Sequence, residues 1–110
     1  MLMPEKRLVW LGSSRTDLRA FPGPARRIAG FQLRRVQQGL EPNDWKPMPS
    51  IGPGAREIRI WTGLVHRVFY VATFADGVYV LHAFEKRSHK TPTRDLDLAK
   101  GRYRALMVGR

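Results

Sequence analysis

Three apolar runs separated by short turn sequences constrain this chain more than any other feature. The turn sequences are Thr62-Gly63 and Asp76-Gly77, and Asp-Gly between two apolar runs is among the strongest short-range signals for a β-hairpin. The first run alternates polar and apolar side chains, which is the period of a strand with one buried face. A three-stranded antiparallel meander is therefore predicted over residues 56–61, 65–74 and 78–84.

Helical segments are predicted on both sides of the meander. A short strand over residues 7–11 precedes a short helix over 15–21 and a longer helix over 25–38. A C-terminal helix follows Thr91-Pro92, and its Tyr103 is interpreted as a core residue. Residues 41–55 contain four prolines and are predicted to form an irregular loop. The expected fold class is α+β: a small antiparallel sheet, made of the N-terminal strand and the meander, packed against two N-terminal helices, with a C-terminal helix.

The charge balance indicates what the chain binds. It has 20 Lys and Arg against 9 Asp and Glu in 110 residues, a formal net charge of +11. The excess lies at the two ends, since residues 1–40, 41–83 and 84–110 carry +6, 0 and +5. A single domain over residues 1–110 with this charge favours a polyanionic partner, nucleic acid or an acidic protein, over a neutral small molecule.

Two further observations bear on location and chemistry. Cysteine is absent from the sequence, which excludes disulfides, thiol nucleophiles and zinc held by cysteine. The only apolar run near the start, residues 8–11, is too short for a signal peptide or a membrane span. A cytoplasmic location with no membrane partner is expected.

The predicted hairpin brings cations and aromatic rings to one face of the sheet. If Asp76-Gly77 form a two-residue turn, the numbers of paired residues sum to 153 and Arg67 lies opposite Lys86. Arg59 joins that face, and Glu57 with it, only if the turn around Gly63 has an odd number of residues. That face then holds Glu57, Arg59, Arg67, Phe69, Val71, His82, Phe84 and Lys86. Because like charges repel unless an anion lies between them, the cluster is interpreted as a phosphate site.

This set of side chains suits the cleavage of RNA by its own 2′-hydroxyl group. The reaction needs a base for that hydroxyl, cations for the charge that grows on the phosphate, and an acid for the departing 5′-oxygen. Arg59, Arg67 and Lys86 are the candidate cations, and Glu57 or His82 can move the protons. No metal or other cofactor is expected, because the histidines lack the spacing of zinc ligands and the carboxylates do not cluster. Further RNA contacts are predicted at Arg56, Arg87, His89 and Lys90.

Core roles compete with these functional interpretations. Phe69, Phe84 and His82 fit buried positions of a central sheet equally well. Arg67 differs, because a charged residue within an apolar strand is costly to bury unpaired. On the longer predicted helix, Arg27 and Arg34 lie away from the apolar stripe with Phe31 among them. These three residues are candidates for binding a partner protein, and the sheet face is the alternative.

The order of elements and the residues of the meander resemble the RelE/ParE toxin superfamily, most closely its phage-derived HigB-like branch. The resemblance covers nearly the whole chain and is carried by Arg56-Glu57-Ile58-Arg59-Ile60, Arg67-Val68-Phe69-Tyr70-Val71-Ala72 and the stretch from Phe74 to Pro92. It implies a microbial RNase-type fold and a toxin that cuts messenger RNA, typically in the ribosomal A site. It also implies neutralisation by a cognate antitoxin, usually a helix-turn-helix protein.

The resemblance also assigns roles to particular residues. Arg67 matches the arginine that contacts the scissile phosphate, and Arg59 matches a basic position of the preceding strand. Lys86 and Arg87 fall where the family has basic residues after the last strand. The sequence departs from RelE in having Glu57 in place of a lysine, and it has no clear counterpart of RelE's late catalytic tyrosine.

Two other functions stay open at this point. One is a ParE-like toxin that binds DNA gyrase without RNA chemistry, since a shared fold does not fix function. The other is a non-catalytic RNA-binding module, which would tolerate the loss of Glu57 and His82. The grouping of Arg59, Arg67 and Lys86 favours the ribonuclease.

Overall fold

A five-stranded sheet with helices on both faces forms the body of the computed structural model, which describes residues 4–110. The strands are β1 (Arg7–Trp10), β2 (Trp45–Pro47), β3 (Ala55–Trp61), β4 (Val65–Val71) and β5 (Gly77–Lys86). The helices are α1 (Ser14–Arg19), α2 (Gly23–Gln37) and α3 (Thr93–Val108). The predicted α+β class is confirmed, with both N-terminal helices and the C-terminal helix. Residues 1–3 of the predicted 1–110 domain lie outside the described residues.

The sheet is mixed, with the order β1-β5-β4-β3-β2. β1 runs parallel to β5, so the prediction that the N-terminal strand joins a purely antiparallel sheet is wrong in this detail. Parallel neighbours need a long crossover connection, and the helices and strands between β1 and β5 supply it.

The proline-rich segment contains a strand that the sequence did not predict. β2 pairs antiparallel with β3 at the edge of the sheet, and Lys46 lies opposite Glu57. Pro47 ends this strand, and an edge strand tolerates proline because one side of its backbone has no neighbour. The segment is therefore only partly the irregular loop that its four prolines predicted.

The two turns of the meander differ in how well they follow the prediction. Trp61 lies opposite Val65, so the first turn has three residues, and its Gly63 has a φ of +93°, where glycine is favoured. The odd number confirms the condition that places Arg59 and Arg67 on one face. The predicted two-residue turn at Asp76-Gly77 is wrong, because β4 ends at Val71 and β5 begins at Gly77.

The register between β4 and β5 therefore differs from the predicted one. Numbers of paired residues sum to 151, as for Arg67 opposite Phe84, until a bulge at Leu81 reduces the sum to 150. The difference of two residues leaves Arg67, Phe84 and Lys86 on their predicted face, since side chains alternate with period two.

Each face of the sheet has its own core. α1 and α2 cover one face, where the predicted stripe residues Ala25, Ala29, Leu33 and Val36 are buried. Leu40 was predicted to join them but is half exposed, because α2 ends at Gln37 and the chain turns at Gly39. α3 packs on the other face through Ala99 and Tyr103.

Tyr103 also ties α3 to the proline-rich segment. Its hydroxyl donates a hydrogen bond to the carbonyl oxygen of Pro53, 2.7 Å away, and its ring leaves no room for a side chain at Gly52. The predicted core role of Tyr103 is confirmed. Among residues 4–110, no helix has the length and apolar character needed to cross a membrane.

Candidate active site

A buried carboxylate organises the basic residues on the α3 face of the sheet. Glu57 lies in the middle of β3 and is fully buried. Arg67, directly across from Arg59 on the neighbouring strand, donates a hydrogen bond from Nη1 to Oε1 of Glu57. Arg59 Nε and Lys46 Nζ lie 3.9 and 4.0 Å from the same oxygen. Three cations from three strands thus converge on one carboxylate oxygen.

Lys86, at the end of β5, is the fourth cation of this group. Burial and the positive charge of Arg67 lower the pKa of Lys86 below its ordinary 10.5, with smaller contributions from Lys46 and Arg59. The charge of Glu57 acts in the opposite direction. We call Lys46, Glu57, Arg59, Arg67 and Lys86 the cationic cluster. With Lys86 protonated, four positive charges and one negative charge give it a net charge of +3.

Arg67 is the most enclosed cation of the cluster. Only 5% of its surface is exposed, and its Nε finds no hydrogen-bond acceptor among residues 4–110. Buried donors are normally paired, so this enclosed N–H is an exception among the polar groups of the site. The arrangement can bind a phosphate group and stabilise negative charge that grows on it.

A groove of about 390 Å³ adjoins the cluster. Its walls include Arg67 and Lys86 together with Arg87 and His89, which belong to the loop after β5. The structure therefore brings these two predicted RNA contacts to the site. Arg87 is also paired with Glu85 at 2.5 Å, and Lys90 is exposed in the same loop.

Residues 16–104 match the family model described as phage-derived protein Gp49-like. The chain belongs to this family. The matched region contains the whole cationic cluster and the groove beside it. Membership indicates a toxin of a toxin–antitoxin pair, with a cognate antitoxin as its partner. The comparison with curated proteins finds no match.

One predicted RNA contact of this Gp49-like protein lies away from the cluster. Arg56 points to the opposite face of the sheet, since it neighbours Glu57 on β3 and side chains alternate. Its guanidinium donates a hydrogen bond to Glu41 at 2.7 Å and lies 4.1 Å from the ring centre of Trp45. The structure therefore does not bring Arg56 to the groove.

His82 shares the face of the cluster but is held by α3. Its Nε2 lies 2.6 Å from Oδ1 of Asp95, and Arg102 Nη1 lies 3.4 Å from its Nδ1. Because arginine can only donate, Nδ1 accepts and the ring hydrogen on Nε2 is donated to Asp95. The ring also stacks on Phe84, with 5.3 Å between the ring centres. Both nitrogens of His82 are thus engaged within the Gp49-like fold.

These contacts predict a stability effect of His82. His82→Ala is expected to lower the free energy of unfolding by about 1–3 kcal/mol, because Asp95 and Arg102 lose a buried partner. Chemical denaturation measures the change, and amide exchange should locate it in α3. Asp95→Asn is the matched control, since its amide oxygen still accepts the hydrogen bond. If His82→Ala keeps its stability but loses activity, the ring acts in the chemistry, as the sequence predicted.

The residues predicted to bind a partner protein lie on the far side of the sheet from the cluster. α2 covers the opposite face, and its outer surface presents Arg27, Arg34 and Phe31, the last 57% exposed. Arg34 forms a surface ion pair with Glu5 at 3.4 Å. A partner on this surface of the Gp49-like protein would leave the groove uncovered.

Sequence reasoning missed Lys46, Asp44 and Trp61. Lys46 belongs to the cluster because β2 pairs with β3. The sequence did not predict β2, because the prolines around it indicated an irregular loop. Asp44 accepts a hydrogen bond from Trp61 Nε1 at 2.8 Å and lies 3.4 Å from Arg59 Nε. The alternation along β3 was the signal for Trp61, since it places residue 61 on the face of residues 57 and 59.

Proposed function

We propose that this protein is a type II toxin that acts as a metal-independent endoribonuclease on messenger RNA in the ribosomal A site. The observation that carries the proposal is the cationic cluster, in which three cations pair with one buried carboxylate and a fourth, Lys86, lines an open groove with Arg67. A site with this charge attracts a phosphodiester backbone. Its arginines offer rigid donors to phosphate oxygens, which is the geometry that stabilises a phosphorane-like transition state.

The cluster supports a division of roles. Arg67 and Arg59 bind the scissile phosphate and stabilise the charge that develops on it. Glu57 is fully enclosed beneath Arg67, so we assign it the role of positioning that arginine rather than moving a proton. His82, whose ring nitrogens are engaged with Asp95 and Arg102, holds α3 in place.

Proton transfer is assigned to the two groove residues Lys86 and His89. His89 lines the groove beside the phosphate-binding cations, so we assign it the role of the base that takes the proton of the 2′-hydroxyl. The 2′-oxygen then bonds to phosphorus as the bond to the 5′-oxygen breaks. Lys86, whose pKa is lowered, gives its proton to the departing 5′-oxygen. The products are a 2′,3′-cyclic phosphate and a 5′-hydroxyl end.

Induced expression in a bacterial host tests the proposed function. Growth arrest should be accompanied by new 5′ ends within the coding regions of translated messages, mapped by primer extension. Arg67→Ala and the cognate antitoxin should each abolish both effects. Growth arrest without new ends, together with loss of supercoiling by DNA gyrase in a purified assay, would replace the ribonuclease with the gyrase-binding alternative.

The outer surface of α2 is proposed to bind the antitoxin. A strongly basic protein attracts an acidic segment, and Phe31 among exposed arginines adds an apolar anchor. The double variant Arg27→Glu/Arg34→Glu is expected to weaken binding by about tenfold or more, chiefly by slowing association. Calorimetry with the protein encoded by the neighbouring gene measures the change.

Arg104→Glu is the matched control for this prediction, because Arg104 is exposed on α3 and changes the net charge in the same direction. Its single reversal should change antitoxin affinity less than either single reversal on α2. Unaltered binding of the double variant would move the antitoxin contact to the sheet face.

A further inference from the structure

Trp61 is an exposed aromatic residue beside the cationic cluster. It ends β3 on the same face as Arg59, and 60% of its surface is exposed. It lines the groove together with Arg67 and Lys86. An exposed aromatic ring next to phosphate-binding cations is suited to bind a ligand that combines a flat apolar surface with negative charge.

Asp44 fixes the indole of Trp61 relative to Arg59. One carboxylate oxygen accepts the hydrogen bond of Trp61 Nε1 at 2.8 Å, and the other lies 3.4 Å from Arg59 Nε. The backbone holds Asp44 itself, because the amide of Arg59 donates to its carbonyl oxygen at 2.9 Å. The ring is therefore oriented before any ligand arrives, which lowers the entropic cost of binding.

We propose that Trp61 stacks on a nucleobase of single-stranded RNA adjacent to the phosphate held by the cationic cluster. The inference rests on the proposed function and adds a base-binding element to it. Every base has a π-face, so this contact gives affinity and alignment of the strand with little choice of sequence. The ring then sets how far the scissile phosphate lies from the stacked base.

The neighbours of Trp61 favour RNA over a protein partner. Besides Arg67 and Lys86, the groove is lined by Arg87, Ser88 and His89, and Val65 is its remaining apolar member. Leu64, the last residue of the adjoining turn, is 51% exposed but does not line the groove. An apolar protein segment would bury little apolar surface in this groove. A nucleotide fits it better, because its base can stack on the ring and its phosphate can pair with the cations.

A cycle of protein and RNA variants tests the stacking directly. The probes are short single-stranded RNAs that carry 2′-methoxy groups, which prevent cleavage, and a single abasic site at successive positions. Fluorescence anisotropy gives their affinities, with the RNA free and with it bound to ribosomes. For the wild type, the abasic site should cost about tenfold in affinity at one position, the order expected for one base–aromatic stack.

Three protein variants distinguish aromatic stacking from a contact that any large apolar side chain would make. Trp61→Leu should lose about tenfold for intact RNA and become insensitive to the abasic site at that position. Trp61→Phe should keep most of the affinity and the sensitivity. Leu64→Ala, the matched exposed apolar control in the turn that follows Trp61, should bind as the wild type does. Thermal unfolding checks that all three variants are folded.

The outcomes distinguish this inference from the proposed function. If Trp61→Leu keeps wild-type affinity, or loses it without losing the position-dependent abasic effect, the stacking is overturned while cleavage by the wild type still supports the ribonuclease. If the wild type neither binds these RNAs nor cleaves messenger RNA on ribosomes, both proposals fail.

Discussion

Arg67→Ala is expected to reduce cleavage by about 100-fold or more, because it removes a preorganised donor from the developing phosphate charge. The same substitution should lower the free energy of unfolding by up to about 3–5 kcal/mol, since the fully buried Glu57 loses its hydrogen-bonded partner and keeps the ion pairs with Arg59 and Lys46 at 3.9 and 4.0 Å. Single-turnover cleavage on ribosomes and chemical denaturation measure the two effects separately. Because Arg67→Ala is expected to change both properties, its loss of toxicity alone does not tell slower cleavage from a less stable fold.

The double variant Glu57→Leu/Arg67→Met removes this ambiguity. Replacing both members of a buried ion pair by apolar residues of similar size is often neutral or stabilising. The net charge of the cluster also stays at +3, since one positive and one negative charge are lost together. We expect the double variant to regain most of the stability lost by Arg67→Ala and to stay inactive. Cleavage by a stable double variant at the wild-type rate would remove Arg67 from the mechanism.

Lys86→Ala is expected to slow cleavage by about 100-fold with little change in stability, because general acid catalysis contributes about 10²–10⁴-fold and this side chain lies at the rim of the fold. Lys86→Arg is the matched control, since it keeps the charge but cannot release a proton at accessible pH. Lys86→Arg should therefore cleave about as slowly as Lys86→Ala, while its affinity for RNA stays closer to that of the wild type. If Lys86→Arg cleaves at the wild-type rate, Lys86 contributes charge only.

The pH dependence follows from the lowered pKa of Lys86. An acid must be protonated to act, so the rate should fall as pH rises through the pKa of Lys86, at a pH below the ordinary 10.5. That alkaline fall should be missing from the profile of Lys86→Arg. Single-turnover rates across this range, limited to pH values at which the ribosome remains intact, provide the test.

The meander shows why the sequence predicted the site face although it missed the register. The runs of β4 and β5 indicated two paired strands, but a five-residue connection, Ala72 to Asp76, replaces the expected two-residue turn. The Asp-Gly signal did not reveal the longer connection, because Gly77 is the first residue of β5 and not part of the turn. The error equals one strand period, so Arg67 and Lys86 still share a face. A difference of one residue would have separated them.

The sequence did not predict which side chains pair with Arg67 and His82, because these contacts depend on the three-dimensional fold. The cost of burying Arg67 alone indicated a functional role, but the structure supplies a buried partner in Glu57, ten residues earlier in the chain. Their shared face was predicted, whereas the ion pair depended on the side-chain geometry across two strands. Asp95 reaches His82 only because α3 packs back onto β5, and helix docking of this kind leaves no local pattern.

The chemistry of the cut ends tests the central proposal most directly. A defined messenger RNA on purified ribosomes should be cut by the wild-type protein, and mass spectrometry should find a 2′,3′-cyclic phosphate on the upstream fragment and a 5′-hydroxyl on the downstream fragment. These ends require attack by the 2′-oxygen on the scissile phosphate, which is the step proposed for the cationic cluster. A 3′-hydroxyl with a 5′-phosphate, or an intact message in the presence of active protein, would contradict the proposed ribonuclease mechanism.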